Sequence, residues 1–357
     1  MWIPRTGLLM FEIKATGNSL LRAHGELPLY RAVIPPVATD LSQPLWSVMI
    51  PTYNCAGYLR ETLASVLAQD PGPDLMQIEV VDDHSTKDDP AAVVAELGSG
   101  RVTFYQQPTN VGHVRNFNTC LRRSRGRLIH LLHGDDSVRD GFYETMQLPF
   151  ANPTVGAAFC RYIAMDEQGH WLSIAPLEQL HNGLVDNWLE KIATGQRLQT
   201  PTMVVRRTVY EALGGFDERI ATYGEDWEMW VRIAAHFPVW YHAHPLALYR
   251  IRSTSLTGQG QRTGKNAEDY RCVIKINRNH LLPDRADQLS NEASRNFAMA
   301  CLRRARRKLN ARDIDTAMSL IKEALKTNRS LPVVAQTLLL LLLWLTQAVL
   351  TTKDKEQ

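Results

Sequence analysis

Three acidic pairs stand out by position in this chain: Asp82-Asp83, Asp135-Asp136 and Glu225-Asp226. The second follows Leu128-Ile-His-Leu-Leu-His-Gly134, whose five leading residues are apolar enough for a strand buried on both faces. Adjacent carboxylates repel each other and are costly to desolvate unless a cation lies beside them. At the carboxyl end of a buried strand they occupy the rim where open α/β sheets bind ligands. A hard divalent cation holding a diphosphate accounts for the pair. The competing account is that both aspartates cap the next helix, since aspartate is a favoured N-cap. Glu225-Asp226, behind Gly224, opens a stretch in which Trp227, Trp230, Val231 and Ala234 share one helical face. Acidic residues in a first turn are also favoured by the helix dipole alone.

The elements that must position these groups begin at Trp46. Ser47–Ile50 reads as a strand stopped by Pro51, and Leu59, Leu63, Val66 and Leu67 recur at helical spacing. Ile78–Val81 is a strand ending in Asp82-Asp83. Ala91–Leu97 reads as a helix, Val102–Tyr105 as a strand, and His113 to Leu121 as a helix leading into the strand at Leu128. Such alternation predicts parallel strands with right-handed crossovers. Neither Gly-x-Gly-x-x-Gly nor a P-loop is present, which removes most support for dinucleotide oxidoreductases and NTPases.

Further on, Gly141–Leu148 reads as a helix and Val155–Cys160 as a strand. Residues 165–200 read as an irregular, substrate-facing excursion. Met203–Val205 is a strand, and Thr208-x-x-Glu211 a capping box for a helix that Gly214-Gly215 ends. Val239–His242 and Leu246–Ile251 read as two strands. Then strand signals stop, and Glu268–Asn279, Asn291–Leu309 and Asp313–Lys326 read as helices, with a basic run at Arg303, Arg304, Arg306, Arg307 and Lys308. Leu331–Leu350 carries no charge, and about 20 apolar residues suffice to cross a bilayer. A helix packed on the preceding hairpin, or in a homodimer interface, fits the same stretch. The expected organisation is an N-terminal extension at 1–45, an α/β domain at 46–255, a helical region at 256–330 and a hydrophobic helix at 331–350.

Bulk properties set limits. The net charge of +3 over 357 residues is too small to argue for nucleic acid. The five cysteines, Cys55, Cys120, Cys160, Cys272 and Cys301, lie too far apart for structural zinc and suit a reducing compartment. The N-terminus has charges at Glu12 and Lys14 and makes no convincing signal peptide. A cytoplasmic protein, free or at the inner face of the plasma membrane, is expected.

Pro51-Thr-Tyr-Asn54, Val80-Val-Asp-Asp83-x-Ser85, Asp135-Asp136 and Gly224-Glu-Asp226, with Gly214-Gly-Phe-Asp217 between the last two, occur in this order. Together, over about residues 46–255, they resemble family 2 glycosyltransferases, which are inverting enzymes with the GT-A fold, a Rossmann-like, mainly parallel nucleotide-binding sheet. The resemblance implies that Pro51 and Tyr53 line the base pocket, that Asp83 accepts a hydrogen bond from the base, and that Asp82 supports the loop or the ribose. It sets Arg115 near the nucleotide, Asp135 on the ribose or on metal-bound water, and Asp136 on Mn2+ or Mg2+. Asp226, with Glu225 as the alternative, would take the proton from the acceptor hydroxyl. Trp227 and Trp230 would either stack on a sugar or belong to the core, and His242, His244, Tyr249 and Arg250 would border the site.

The donor implied is a UDP-, dTDP- or GDP-sugar. The acceptor would be a glycan, a lipid-linked saccharide or a protein, in the building of cell-surface polysaccharide or glycoconjugates. A processive synthase is disfavoured, because no Gln-x-x-Arg-Trp follows Asp226. Two readings from other classes remain at this stage. A nucleotidyltransferase would want a basic, Gly-rich loop where Pro51–Asn54 stands. A non-catalytic carbohydrate-binding scaffold would have no need of all the acidic pairs.

Overall fold

The computed structural model describes residues 29–39, 41–252 and 265–353. Its first half follows the alternation in the sequence: β1 (Trp46–Thr52), α1 (Ala56–Leu67), β2 (Met76–Asp82), α2 (Pro90–Leu97), β3 (Thr103–Gln106), α3 (His113–Arg123) and β4 (Leu128–Leu131). β1, β2 and β4 are buried along their whole length, as strands covered on both faces must be. They are parallel, in the order β3-β2-β1-β4. α1 turns Leu59, Leu63 and Val66 inward, and its first amide, on Ala56, donates to Asp88 across the loop at 2.8 Å. α2 has a local cap, with Asp89 accepting from Ala92 and Pro90 at the first helical position.

The second half contains β5 (Ser137–Val138), α4 (Phe142–Gln147), β6 (Ala157–Met165), β7 (Trp171–Ile174), β8 (Gly183–Leu184), α5 (Trp188–Ala193), β9 (Met203–Arg206), α6 (Arg207–Leu213), α7 (Glu225–Ala234) and β10 (Val239–Arg250). The sheet continues β4-β9-β6-β10-β5, and β9 lies antiparallel to both of its neighbours. The two strands expected at 239–242 and 246–251 are one, β10, whose register on β6 slips between His242 and Ala247. Pro245, which has no N–H for the ladder, sits in that slip. The excursion at 165–200 holds β7, β8 and α5. All four residues of β7 are exposed, so no alternation of burial could mark it.

The N-terminal segment is not separate from the domain. Ala32 and Ile34 are buried, the carbonyls of Tyr30 and Ala32 accept from Glu218 and Gly215 at 2.9 and 2.8 Å, and Arg219 lies 3.4 Å from the Tyr30 ring centroid. Residues 30–36 are thus part of the fold, and the expected boundary at 46 comes too late. The expected boundary at 255 lies outside the described residues.

Arg31 also reaches a buried charge cluster. Glu228 and Arg232, both without solvent exposure, pair at 2.8 Å. Arg31 and His280 approach Glu228 at 3.7 and 3.4 Å, and Arg232 donates to the carbonyls of Leu213 and Gly215 at 2.6 and 2.9 Å. Burial alone would push Glu228 up, but Arg232 and His280 outweigh it and hold the carboxyl at about 2. Removing one member of such a pair strands the other charge. Arg232→Met is therefore expected to cost about 3–5 kcal/mol in chemical denaturation; a loss under about 1 kcal/mol would contradict the assignment. The sign with pH follows from the depressed value. This stabilisation is complete above the ordinary glutamate pKa of about 4.3 and is lost as pH falls toward about 2.

The C-terminal region comprises α8 (Lys265–Arg278), α9 (Pro283–Asn310), α10 (Ile314–Thr327) and α11 (Leu331–Lys353). α9 starts eight residues before the expected Asn291, with Pro283 in its first turn. α7, α8 and α9 are locked by aromatic contacts: Tyr270 stacks on Trp227 at 4.6 Å and on Phe297 at 4.0 Å. α11 buries Val333, Thr337 and Leu340 against the α9–α10 hairpin and leaves Leu338, Leu339, Leu342 and Leu343 exposed. Among the described residues, no helix is long and apolar enough to cross a membrane.

Candidate active site

One cleft of about 1440 Å³ runs from the carboxyl ends of β1 and β2 to α9. Its near end is built by two loops tied to each other. Asn54 adopts φ +50°, and its Oδ1 accepts from the amides of Thr86 and Lys87 at 3.0 Å each. The Asn54 amide donates to Ser85 Oγ, which donates to Asp82 at 2.5 Å. Asp82 also accepts from Thr52, the Ser85 amide and Gln106. Fully buried and saturated, Asp82 supports the loop and does not line the cleft. Asp83 does line it, with its oxygens accepting from the amides of Val111 and Gly112 at 2.8 and 3.0 Å. Burial raises its pKa despite those amides. Pro51 and Tyr53 lie beside it on the same wall, and Tyr53 is half exposed.

The middle of the cleft lies at the end of β4. Gly134 permits this approach: a Cβ there would stand 2.5 Å from Thr52 Cγ2 and 3.1 Å from Cys55 Sγ. His133 and Asp135 face the cleft. Asp136 lies behind them at 1% exposure, its Oδ1 accepting from the Arg250 amide at 2.8 Å. Among the described residues its Oδ2 and His133 Nε2 are buried without a hydrogen-bond partner, and His133 Nδ1 is 3.7 Å from Asp136 Oδ2. Ligand atoms of His133, Asp135 and Asp136 all fall within 4.8 Å of one another. Burial lowers the His133 pKa, favouring the neutral imidazole that binds metals. Burial, then Asp135, pushes Asp136 well above the usual carboxylate range. One imidazole and two carboxylates with orphaned atoms suit a divalent cation such as Mn2+. Arg252 meets Asp135 at 2.5 Å, so a positive charge already balances the wall carboxylate.

Across the cleft, Gly224 at φ +92° caps α7 and presents the third acidic pair. Glu225 meets His113 at 3.2 Å. Burial would raise Glu225, but His113 outweighs it and the carboxyl lies below its ordinary value. His113, which burial alone would discharge, is in turn held above its ordinary value by Glu225. Among the described residues Asp226 has no cationic partner of this kind. It accepts from Gln196 Nε2 at 2.6 Å and from its neighbour's amide, on Trp227, at 2.7 Å. Burial, and then the charge of Glu225, push it up to about 7. Two adjacent carboxyls are thus driven apart, the usual arrangement where one must exchange a proton near neutrality.

The structure brings Pro51, Tyr53, Asp83, Asp135, Glu225 and Asp226 into one cleft. Arg115 is not among them: it lies on the exposed side of α3, paired with Glu218 at 3.0 Å, and His113, two residues earlier, takes the inward position. Trp227 and Trp230 are 1% exposed and belong to the core; Trp227 donates to the Ile192 carbonyl at 2.7 Å. Tyr249 lines the cleft. Arg250 lines it too, its guanidinium held by Glu61 and by the carbonyls of Asp135 and Asp166. His242 and His244 lie 5.4 Å apart and outside the cleft lining. His113, His133 and Gln196 escape sequence reasoning. His133 and Asp135 belong to a turn that the Asp136 amide closes on the His133 carbonyl at 3.0 Å, so no strand alternation marks them.

The family model for Glycosyl transferase family 2 matches residues 47–213, ending just before the Glu225-Asp226 helix. An uncharacterised protein of Mycobacterium tuberculosis is 29% identical over 67% of this chain and 77% of its own length. Among solved structures, S. aureus TarS 1-349 in complex with UDP-GlcNAc aligns with a TM-score of 0.59 at 18% identity, covering 80% of this chain and 81% of that one. The mannosyltransferase PcManGT from Pyrobaculum calidifontis in complex with GDP-Man and Mn2+ aligns at 0.53 and 18% identity, covering 90% and 84%. The GT-A arrangement expected from the acidic pairs is the fold these structures share, and residues 47–213 carry the chain's match to glycosyltransferase family 2.

Proposed function

We propose that this glycosyltransferase moves one sugar from a nucleoside diphosphate sugar to an acceptor hydroxyl with inversion, Asp226 being the base. The observation that carries the reading is the divided acidic pair. Asp226 titrates near 7 and faces, across one cleft, the His133–Asp135–Asp136 group. Pro51, Tyr53 and Asp83 receive the nucleobase, whose ring N–H would donate to Asp83. His133, Asp135 and Asp136 would hold Mn2+ or Mg2+, which when bound offsets charge on the departing diphosphate. The acceptor oxygen forms its bond to the anomeric carbon as the bond from that carbon to the diphosphate oxygen breaks. Asp226 receives the hydroxyl proton, and the nucleoside diphosphate leaves with its negative charge. Glu225, held ionised by His113, keeps Asp226 basic enough to accept.

UDP-GlcNAc in TarS and GDP-Man with Mn2+ in PcManGT support a nucleotide-sugar donor and a divalent ion. The test is release of nucleoside diphosphate from UDP-, dTDP- and GDP-sugars in the presence of Mn2+, Mg2+ or EDTA. Turnover of one donor, lost in EDTA and restored by metal, is the expected result. Turnover undiminished by EDTA would remove the metal from the proposal, and no turnover or binding of any donor would remove the transfer reaction.

A further inference from the structure

The basic run on α9 is not an evenly solvated helix face. Arg304, Arg307 and Lys308, at i, i+3 and i+4, line the same cleft as Asp226, while Arg303 and Arg306 are exposed outside its lining. Arg304 is half-buried and close to the reacting end. Its charge acts on the hydroxyls of Tyr223 and Tyr270, and Glu225 and Asp226 act on the same Tyr223 hydroxyl. Tyr270 stacks on Trp227, the residue after Asp226. Lys308 is paired with Asp313 at 2.9 Å, but among the described residues the guanidiniums of Arg304 and Arg307 make no ion pair or hydrogen bond. Their helical neighbours are treated differently: Arg271 meets Glu323 at 2.8 Å and Arg285 meets Glu190 at 2.9 Å. Two guanidiniums left side by side in a concave site repel each other and favour an anion between them, and guanidinium geometry matches phosphate oxygens. On the reading above, the donor diphosphate would lie on the cation held by His133, Asp135 and Asp136, nearer the nucleotide end.

Resting on the transfer reaction proposed above, we propose that the acceptor carries phosphate next to the hydroxyl that receives the sugar, and that Arg304, Arg307 and Lys308 bind it. Phosphate of this kind is available from a polyisoprenyl-phosphate-linked saccharide or from a soluble polyol phosphate chain, and the test separates the two. The enzyme, saturated with the nucleoside diphosphate released in the donor assay so that the donor end is filled, is titrated with a glycerol phosphate oligomer. A second titration uses detergent micelles containing polyisoprenyl phosphate. Binding of at least one probe is expected, weakening steeply between 50 and 300 mM salt, as contacts between partly exposed charges do. R304Q/R307Q/K308Q is expected to weaken it about tenfold or more, which corresponds to 1.4 kcal/mol. R303Q/R306Q removes charge from the same helix outside the cleft and is expected to keep wild-type affinity.

Preference for the oligomer names a soluble acceptor, and preference for the micelle names a lipid-linked one. Failure of both probes to bind overturns the proposal, and so does equal loss in the two variants. A rise in donor KM in the triple variant, with probe affinity unchanged, also overturns it and assigns the cluster to the donor. Absence of nucleoside diphosphate release from wild type would instead indict the transfer reaction itself.

Discussion

Asp226→Asn is expected to lower kcat by about 10²–10⁴-fold, the usual contribution of a general base, with little change in donor KM. Asparagine can still accept from Gln196, which holds Asp226 at 2.6 Å, so the side chain should stay in place while losing the ability to take a proton. The pH profile makes the test specific. A base must be unprotonated to act, so wild-type kcat should rise through about pH 7 and level off above it, and the variant should lack that limb. His113→Ala probes the same pair from its other side. Without the imidazole, Glu225 loses the charge that keeps it ionised and repels Asp226 less. The limb should then move to lower pH, reported as an apparent value for the pair. An Asp226→Asn enzyme within about fivefold of wild type would assign the proton to another group.

The second large effect separates two neighbours to which the resemblance gives different roles, Asp135 on the ribose or metal-bound water and Asp136 on the metal. Asp135→Ala should reduce turnover by about 10²–10³-fold, the scale seen when one preorganised charge-stabilising group is removed, and added Mn2+ should not restore it. Asp136→Asn should differ in kind. Asp136 lies behind the wall and holds the Arg250 amide, a bond that an amide oxygen can keep. Because His133 and Asp135 remain to hold the ion, its loss should raise the Mn2+ concentration giving half-maximal activity by about 10- to 100-fold, with turnover recovered at saturation. Equal, unrecoverable loss in both variants would make Asp136 the principal ligand.

Where the sequence could be read, it was because burial and chemistry coincide. β1, β2 and β4 are buried on both faces and end in the residues that form the near half of the cleft, so an apolar run followed by polar residues marked both fold and site. Where it could not be read, the local pattern was silent about tertiary partners. β9 is as apolar as the strands before it, and nothing in Met203–Val205 says that it runs antiparallel between β4 and β6. β7 is exposed throughout and carries no alternation. Arg115 and His113 are two residues apart on one helix, and which of them faces the cleft depends on how α3 lies against β1. His133 was hidden because it ends an apolar run in which His130, three positions earlier with the same side-chain type, is a core residue bonded to the Pro201 carbonyl.

The aromatic lock among α7, α8 and α9 has a consequence for how this enzyme can diverge. Tyr270 clasps Trp227, and through it Asp226, while Phe297 of the helix bearing the cationic cluster clasps Tyr270 from behind. The same helix therefore presents charge to the far end of the cleft and helps to seat the proposed base. A substitution that repacks α9 to suit a different acceptor would also move the carboxyl that must deprotonate it. New acceptor preferences should accordingly arise by exchanging exposed side chains along Arg304–Lys308, with Tyr270 and Phe297 kept, rather than by grafting a foreign C-terminal segment onto the matched 47–213 portion.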